Sequence, residues 1–179
     1  MVRINRAIFF DRDGVLIKAP VVKGKPKSIQ NIKQLKFCPG INKICEYYKK
    51  NYYLIMVTNQ PDYERKQNTK KNINVINNFI KKKLNLDDVY VCYSDNNNHK
   101  DRKPNPGMIL KAKKKYKLDL NKSYLVGDRW RDIGAGNKAK CVTIFIDKKY
   151  DEKLSYKPTH KIDRLNKIFS IIKDLYEKK

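Results

Sequence analysis

The sequence predicts an α/β fold, with one parallel sheet flanked by helices and no cap domain. Short apolar runs of strand length alternate along the chain with segments of helical periodicity. The apolar runs are nearly continuous, as in strands that are covered on both faces, and polar residues follow them directly. With 179 residues the chain has the length of one domain, and we assign residues 1–179 to a single domain.

Five apolar segments are predicted to be strands. In chain order they are "RAIFF", "YYLIMVTNQ", "DVYVCY", "SYLVGD" and "CVTIFID". Most are rich in β-branched and aromatic residues, which is typical of strands. A helical segment stands between each strand and the next, and this alternation is what predicts a parallel sheet.

The helical segments are predicted from apolar residues that recur at helical spacing. In "PGINKICEYYKKN" these residues are Ile41, Ile44, Cys45 and Tyr48. In "TKKNINVINNFIKKKLN" they are Ile73, Ile76, Phe79 and Ile80. The next helices are "PGMILKAKKKYKL" and "DIGAGNKAK". Residues 161–179 are predicted to form one long amphipathic helix, with an apolar face of Leu165, Ile168, Ile171, Ile172 and Leu175.

The segment after the first strand, "APVVKGKPKSIQN", has the proline and glycine residues of a loop. It is too short to form a second domain above the sheet. We therefore expect an open site that admits a small substrate without a lid.

The composition is strongly basic, with a net charge of +24 and a pI near 9.9. The lysines are spread through almost every segment and accompany abundant asparagine, and both residue types have AT-rich codons. Genome composition explains this excess, so we expect no nucleic-acid partner. A general attraction to small anions still follows from the charge.

Other features of the chain predict a cytoplasmic protein with no membrane partner, and we expect it to be a monomer. No apolar run approaches the ~20 residues of a membrane span, and the basic start is not followed by a signal-peptide cleavage site. The four cysteines show no CxxC spacing, and we expect them to be reduced thiols.

Polar side chains collect at the carboxyl ends of the strands, which is where a Rossmann-like parallel sheet binds its ligand. In strand order they are Asp11 and Asp13, then Thr58 and Asn59, then Lys103 in the loop after the third strand, and then Asp128, Arg129 and Asp132. We expect these residues to form one site.

This set of side chains suits phosphoryl chemistry. The aspartates form an oxygen-rich anionic cluster that suits Mg²⁺, which binds through one or two carboxylates, waters and phosphate oxygens. A carboxylate beside a metal and a phosphate can act as a nucleophile, and a second one nearby can protonate the leaving oxygen and then activate water. Asp11 and Asp13 are therefore predicted to share one metal and to divide these two roles. Lys103 would offset the charge on the transferring phosphoryl group.

Four segments, "FFDRDGVL", "MVTNQ", "RKPNPGM" and "VGDRWRDIGAG", follow one another in the order and spacing of the motifs of the haloacid dehalogenase superfamily of phosphatases. The chain resembles that superfamily over roughly residues 7–147. It is similar to the capless branch that holds heptose 1,7-bisphosphate 7-phosphatases and histidinol-phosphate phosphatases. Taken singly, each motif is also explained as a turn or the start of a helix. Their occurrence in order, each at the end of a strand, favours the phosphatase.

The resemblance implies Asp11 as the nucleophile and Asp13 as the general acid/base. It implies Mg²⁺ held by Asp11, the backbone carbonyl of Asp13, and Asp128. The other implied site residues are Thr58, Asn59 and Lys103 at the phosphate, Arg102 and Arg129 at the rest of the substrate, and Asp132 in support.

Many relatives carry a zinc-binding loop before "RKP". Here that loop reads "VCYSDNNNHKDRKP", with Cys92 and His99 as remaining ligands and with Ser94 and Asp101 where a thiolate or imidazole is expected. Structural zinc sites use four cysteine or histidine ligands. We therefore predict no structural zinc, and a loop that is either held by other contacts or mobile.

The predicted activity is Mg²⁺-dependent hydrolysis of a phosphomonoester. By resemblance, the favoured substrate is D-glycero-D-manno-heptose 1,7-bisphosphate, which loses its 7-phosphate in the synthesis of lipopolysaccharide precursors. Histidinol phosphate is the alternative within the same branch. A polynucleotide 3′-phosphatase is a third candidate, and a non-catalytic module that binds nucleic acid or anions is a fourth, which the intact aspartates argue against.

Overall fold

The computed structural model of the protein describes residues 5–172. Within this range the strands are β1 (Ala7–Phe10), β2 (Val21–Val22), β3 (Lys25–Pro26), β4 (Tyr53–Asn59), β5 (Asp88–Cys92), β6 (Tyr124–Gly127), β7 (Val142–Ile146) and β8 (His160–Ile162). The α-helices are α1 (Ile41–Tyr48), α2 (Lys70–Lys83), α3 (Gly107–Tyr116), α4 (Trp130–Ala139) and α5 (Ile168–Ile171). Short 3₁₀ turns are formed by Ile32–Gln34, Leu120–Lys122 and Leu165–Lys167.

A six-stranded parallel sheet forms the centre of the molecule, in the order β5-β4-β1-β6-β7-β8. The chain leaves β1 to build one side of the sheet and later returns to build the other, so the strand order reverses between β1 and β6. A ligand-binding crevice forms at the carboxyl ends of the strands at such a point. The predicted α/β fold is confirmed.

Helices cover both faces of the sheet. Along β1, Ile8 and Phe10 face one hydrophobic core, which includes residues of α1 and α2, while Ala7 and Phe9 face a second core with residues of α3 and α4. Burial on both faces explains why the strands are continuous apolar runs. Among residues 5–172, no helix has both the length and the hydrophobicity that a membrane span requires.

The segment between β1 and α1 contains a short hairpin, β2–β3, that the sequence did not predict. Lys23 and Gly24 join its strands with φ angles of 50° and 71°, as a two-residue hairpin turn requires. The hairpin and one 3₁₀ turn are the regular structure of this segment in the part of the chain described. The prediction that no cap domain covers the sheet is therefore confirmed.

Helix α2 follows its predicted span, but its buried face differs at one position. Phe79 was predicted to face the core and is instead 36% exposed, while Asn77 is buried. With 3.6 residues per turn, the face through Ile73, Ile76 and Ile80 includes position 77 rather than position 79. The helix thus carries an amide into the core.

The prediction of one long helix over residues 161–179 was wrong for its described part. His160–Ile162 form strand β8, which pairs in parallel with β7, and Asp147 N donates to Ile162 O at 2.8 Å. The helical turns that follow end at Ile172, whose ψ of 87° lies outside the helical region. The edge of β7 presents backbone groups that need partners, and this demand overrides the helical spacing of the apolar residues. Leu175 lies outside the described residues.

Candidate active site

Three aspartates meet at the crevice between β1 and β6. Asp11 directly follows β1, where its backbone N–H donates to Val126 O at 3.0 Å, and Asp128 directly follows β6. Asp132 lies in the first turn of α4, where its carboxylate accepts from the backbone N–H of Arg129 at 3.0 Å. Carboxylate oxygens of the three aspartates lie within 4.8 Å of one another. The structure thus brings these predicted site residues together.

Lys103 is buried among these carboxylates. Its Nζ lies 2.7 Å from Asp11 Oδ1 and 2.6 Å from Asp132 Oδ1, and donates to Val57 O at 2.9 Å. Burial alone would lower the pKa of Lys103, but Asp11 and Asp132 raise it above its ordinary value, so the ammonium stays charged. Asn59 fixes the backbone of Lys103 by accepting from its N–H and donating to its carbonyl, each at 3.0 Å.

The three carboxylates outnumber the lysine, which leaves an excess of buried negative charge. Burial raises the pKa of Asp11 to about 6, with Lys103 opposing the rise. Burial, followed by the charge of Asp11, raises the pKa of Asp128 well above its ordinary value. Asp128 Oδ1 is buried and has no hydrogen-bond partner within residues 5–172. A buried, unpartnered carboxylate oxygen beside a second carboxylate fits a divalent cation such as Mg²⁺.

The other oxygen of Asp128 is fixed from two sides. The hydroxyl of Tyr150 donates to Asp128 Oδ2 at 2.8 Å, and burial raises the pKa of Tyr150, which keeps this donor protonated. Gly14 approaches so closely that a Cβ there would lie 1.7 Å from Oδ2, and its φ of 88° also favours glycine. Tyr150 was not found from the sequence, because no motif includes it and it lies 22 residues after Asp128.

Asp13 lines the same pocket, with its carboxylate held by donors from the protein. Arg12 Nη2 lies 2.9 Å from Asp13 Oδ2. The same oxygen accepts from Ser28 Oγ at 3.1 Å and from Gln60 Nε2 at 3.0 Å. The second aspartate of the motif is thus held in one orientation.

The two polar residues at the end of β4 lie at different depths. Asn59 is on the wall of the pocket, whereas Thr58 is buried and absent from the pocket wall as described. The hydroxyl of Thr58 accepts from Gln60 Nε2 at 2.8 Å. Thr58 therefore lies behind the pocket, and its own hydroxyl proton remains available as a donor.

The two arginines that were predicted to contact the substrate are both engaged by protein groups. Arg129 lines the pocket and forms a two-point ion pair with Glu152, which raises the pKa of Arg129 against the lowering effect of burial. Arg102 is buried, and it donates to Ser94 O at 2.7 Å and to Asp95 Oδ1 at 3.1 Å. Arg102 also lines a second pocket that adjoins the first.

This second pocket, which we call the cationic pocket, carries basic residues from four parts of the chain. They are Lys25, Lys27, Arg65, Arg102, Arg129 and Arg131. Lys27, Arg129 and Arg131 also line the first pocket, so the two are continuous. Burial, followed by the charges of Arg102 and Arg129, lowers the pKa of Arg131. Arg131 was missed from the sequence, where its position two residues after Arg129 is the one signal that points to it.

The loop that resembles a zinc-binding loop is held by protein contacts. Cys92 Sγ lies 3.7 Å from His99 Nδ1, which accepts from Asp101 N at 3.2 Å. Asp101 forms an ion pair with Lys111 of α3, and Asn105 Nδ2 donates to His99 O at 3.1 Å. Of the two predicted alternatives for this loop, the structure shows the one in which other contacts hold it.

We predict that the purified protein contains no stoichiometric zinc and that a chelator leaves its thermal unfolding midpoint unchanged. The reason is that Ser94 and Asp101 do not complete a set of four thiolate or imidazole ligands. Metal analysis of protein purified without added metal, together with thermal unfolding in the presence of chelator, measures both. Zinc bound at one per chain, with a midpoint that falls on its removal, would contradict the prediction.

The sequence matches the profile of a family described as polynucleotide kinase 3 phosphatase over residues 6–171. A D-glycero-alpha-D-manno-heptose-1,7-bisphosphate 7-phosphatase from Campylobacter jejuni subsp. jejuni is 32% identical over 148 residues, which cover 79% of this chain and 82% of the relative. The enzyme of the same name from Photorhabdus laumondii subsp. laumondii is 32% identical over 182 residues, which cover 94% and 95%.

A crystal structure also resembles the fold. It is that of a D,D-heptose 1,7-bisphosphate phosphatase from B. bronchiseptica complexed with magnesium and phosphate. The TM-score is 0.75 at 22% sequence identity, over 89% of this chain and 93% of the other. At this identity the likeness concerns the fold.

Proposed function

The chain belongs to the polynucleotide kinase 3 phosphatase family and is a phosphatase of the haloacid dehalogenase type, and from this premise we propose that it hydrolyses a phosphomonoester through an aspartyl-phosphate on Asp11, with Mg²⁺ as its cofactor. One observation carries the proposal. Asp11 is buried at the crevice between β1 and β6, beside the ammonium of Lys103. One of its carboxylate oxygens lies within 4.8 Å of one from Asp128, whose Oδ1 has no hydrogen-bond partner within residues 5–172. This arrangement supports attack by the Asp11 carboxylate on a dianionic phosphoryl group whose charge Lys103 and Mg²⁺ would offset.

In the proposed reaction a carboxylate oxygen of Asp11 attacks phosphorus, and the bond from phosphorus to the sugar oxygen breaks. Asp13 gives a proton to the leaving oxygen. Water then attacks the phosphorus of the aspartyl-phosphate, Asp13 takes a proton from it, and the bond to Asp11 breaks to release inorganic phosphate. Lys103 orients Asp11 throughout. Mg²⁺ held by Asp11, the backbone carbonyl of Asp13, and Asp128 would offset charge on the phosphoryl oxygens.

We propose D-glycero-D-manno-heptose 1,7-bisphosphate as the substrate, with hydrolysis at position 7. The activity for which the relatives are named supports this choice, and so does the cationic pocket. With the 7-phosphate beside Asp11, the 1-phosphate would lie in the cationic pocket near Arg131. Histidinol phosphate has an ammonium group instead of a second phosphate, and the arginines would repel it.

A 3′-phosphorylated nucleic acid is the second candidate substrate. It also presents a further phosphate next to the one that is removed, so the cationic pocket suits it too. Binding through several phosphates would make turnover fall steeply with salt. A sugar bisphosphate, which has one such extra contact, would show a weak salt dependence.

The test is phosphate release by the purified protein with Mg²⁺, measured on heptose 1,7-bisphosphate, histidinol phosphate and a 3′-phosphorylated oligonucleotide at low and high salt. We expect a strong preference for the heptose and a weak salt dependence. A preference for the oligonucleotide that is lost at high salt would show that the substrate is a 3′-phosphorylated nucleic acid, and the proposed mechanism would stand. No release from these substrates or from an aryl phosphate would contradict the proposed function itself.

Mg²⁺ is expected to raise the thermal unfolding midpoint more near pH 7.5 than near pH 5. Burial raises the pKa of Asp11 to about 6, so near pH 5 most molecules carry a proton that the metal must displace, whereas near pH 7.5 the carboxylate is ionised. For one proton released, the apparent affinity falls about tenfold for each pH unit below the pKa. Thermal unfolding with and without Mg²⁺ at the two pH values measures this. Asp128→Asn should abolish the Mg²⁺ effect, and equal stabilisation at both pH values would contradict the prediction.

A further inference from the structure

Arg12, which stands between the two aspartates of the first motif, is fully buried at 0% exposure. It lines neither of the two pockets, and its side chain has no exposed surface with which to contact a substrate bound in them. Across the part of the chain described, Asp13 is the one carboxylate within ion-pair distance of its guanidinium. Burying a charge carries a desolvation penalty that a single ion pair does not reliably offset. The stability of the fold alone is therefore a weak explanation for Arg12.

The core provides two further partners for the Arg12 guanidinium. Its Nη1 donates to Asn77 Oδ1 at 2.9 Å, and its Nη2 donates to Gln60 Oε1 at 2.8 Å. Gln60 Nε2 donates in turn to Thr58 Oγ1 at 2.8 Å, so this amide is held at both ends. The guanidinium is thereby fixed by two buried side chains that line neither pocket.

Asn77 is the buried amide that departs from the predicted face of α2. Its Nδ2 is buried and has no hydrogen-bond partner among residues 5–172, while its Oδ1 accepts from Arg12. Its neighbours on this face are apolar, and an apolar side chain here would avoid the cost of an unpaired amide. Asn77 is thus explained by its bond to Arg12 rather than by packing.

The donors around Asp13 gather on one of its two oxygens. Oδ2 accepts from Arg12 Nε at 3.1 Å, Ser28 Oγ at 3.1 Å and Gln60 Nε2 at 3.0 Å. Oδ1 accepts from Arg12 Nη2 at 3.2 Å, its single donor within the described structure. Oδ2 is therefore the anchored oxygen, and Oδ1 retains a lone pair for a proton.

We propose that Arg12 is a positioning residue for the general acid: anchored by Asn77 and Gln60, it holds Asp13 through Oδ2 so that Oδ1 meets the leaving oxygen of the substrate. This inference rests on the proposed function, because it needs Asp13 as the proton donor. In that step the proton on Oδ1 passes to the sugar oxygen, which also takes the electron pair of the breaking bond to phosphorus. Arg12 keeps its protons and touches no reacting atom.

The test compares two leaving groups with the whole enzyme and Mg²⁺. The best alkyl phosphate from the substrate comparison needs a proton on its leaving oxygen, whereas 2,4-dinitrophenyl phosphate does not, because dinitrophenolate leaves as an anion. For Arg12→Met we expect kcat on the alkyl phosphate to fall about 100-fold, with KM changed by less than about threefold. The rate of the initial dinitrophenolate burst should stay within about threefold of the wild-type rate. Asp13→Asn should show the same selective loss.

Arg6, which precedes β1, offers a matched control. It is also a buried arginine; its guanidinium lies 4.0 Å from the centroid of the Tyr52 ring, and its Nε donates to Asn51 O at 3.3 Å. Arg6→Met should lower the thermal unfolding midpoint and leave both the alkyl turnover and the burst at wild-type rates. This control separates the general effect of removing a buried arginine from the specific effect of removing Arg12.

A proportional loss of alkyl turnover and burst in Arg12→Met would overturn the inference, because Arg12 would then serve the fold or the first chemical step in general. If Asp13→Asn also lowers the alkyl turnover and the dinitrophenolate burst by the same factor, Asp13 is not the general acid. The proposed function then fails, and the inference about Arg12 falls with it. If Arg12→Met does not fold, Asn77→Leu is decisive, since Asn77 bonds to Arg12 and not to Asp13. We expect a selective loss of at least about fivefold in alkyl kcat from this variant, and wild-type kcat would overturn the proposal.

Discussion

Replacing Asp11 by asparagine is expected to lower kcat for phosphate release by at least about 10⁴-fold, as removal of a catalytic nucleophile does. The amide preserves the shape of the side chain but cannot form the aspartyl-phosphate. The fold should tolerate the change, because burial already raises the pKa of Asp11 and so disfavours its charge. Lys103 also keeps its ion pair with Asp132. We expect the free energy of unfolding to stay within about 2 kcal/mol of the wild-type value.

Steady-state phosphate release and thermal unfolding measure the two effects of Asp11→Asn. Mass spectrometry after an acid quench should find a phosphoryl group on Asp11 in the wild type and none in the variant. Asp119→Asn is the matched control: it lies before β6 at the opposite edge of the sheet, where its side chain caps a 3₁₀ turn, and asparagine caps equally well. A natively folded Asp11→Asn protein with more than about 1% of wild-type activity would show that Asp11 is not the nucleophile.

Replacing Lys103 by methionine is expected to lower both activity and stability. The ammonium lies 2.7 Å from Asp11 and 2.6 Å from Asp132, and Lys103 is 3% exposed. Its removal leaves these carboxylates without a buried cation, and breaking a buried ion pair in this way costs about 3–5 kcal/mol. Loss of charge stabilisation at the phosphoryl group should lower kcat by about 10³-fold.

The stability loss in Lys103→Met should be larger near pH 7.5 than near pH 5. Burial holds the pKa of Asp11 near 6 even with Lys103 present. Without this cation the carboxylate takes up a proton more readily. Near pH 5 this protonation removes the cost of a buried, unpaired negative charge, whereas near pH 7.5 more of that cost remains. Denaturant unfolding at both pH values measures the difference. Lys122→Met is the control, because both side chains of its pair with Asp119 are exposed and the pair should contribute less than about 1 kcal/mol. A Lys103→Met protein with wild-type stability at both pH values would contradict this account.

Local patterns predicted most of the secondary structure, because a strand or a helix that buries a face repeats its apolar residues at a fixed interval. The run before Asp11 and the spacing of Ile41, Ile44 and Tyr48 each correspond to an element with the predicted buried residues. One failure occurred where a partner distant in the chain decided the outcome, because Ile162 joined the edge of β7 instead of a helix. The other followed from helical geometry, since 3.6 residues per turn place position 77, rather than Phe79, on the buried face of α2.

The candidate site was predictable to the extent that its residues follow strands. Parallel strands end at one edge of the sheet, so Asp11 and Asp128 had to lie near each other once their strands were recognised. The sequence could not predict the second layer of contacts. Tyr150 reaches Asp128 from 22 residues away, and Asn77 reaches Arg12 from 65 residues away.

By itself, then, the sequence determined the alternation of strands and helices, the sheet edge that carries the site, and the chemical types of side chain placed there. Only the tertiary structure decided that Lys103 is buried between Asp11 and Asp132. The same holds for two ion pairs, that of Glu152 with Arg129 and that of the buried Arg12 with Asp13. The physical reason is the distance along the chain over which each effect acts. Periodicity acts over one or two turns of chain, whereas the pairing of buried charges depends on which distant side chains the packed layers bring within hydrogen-bond distance.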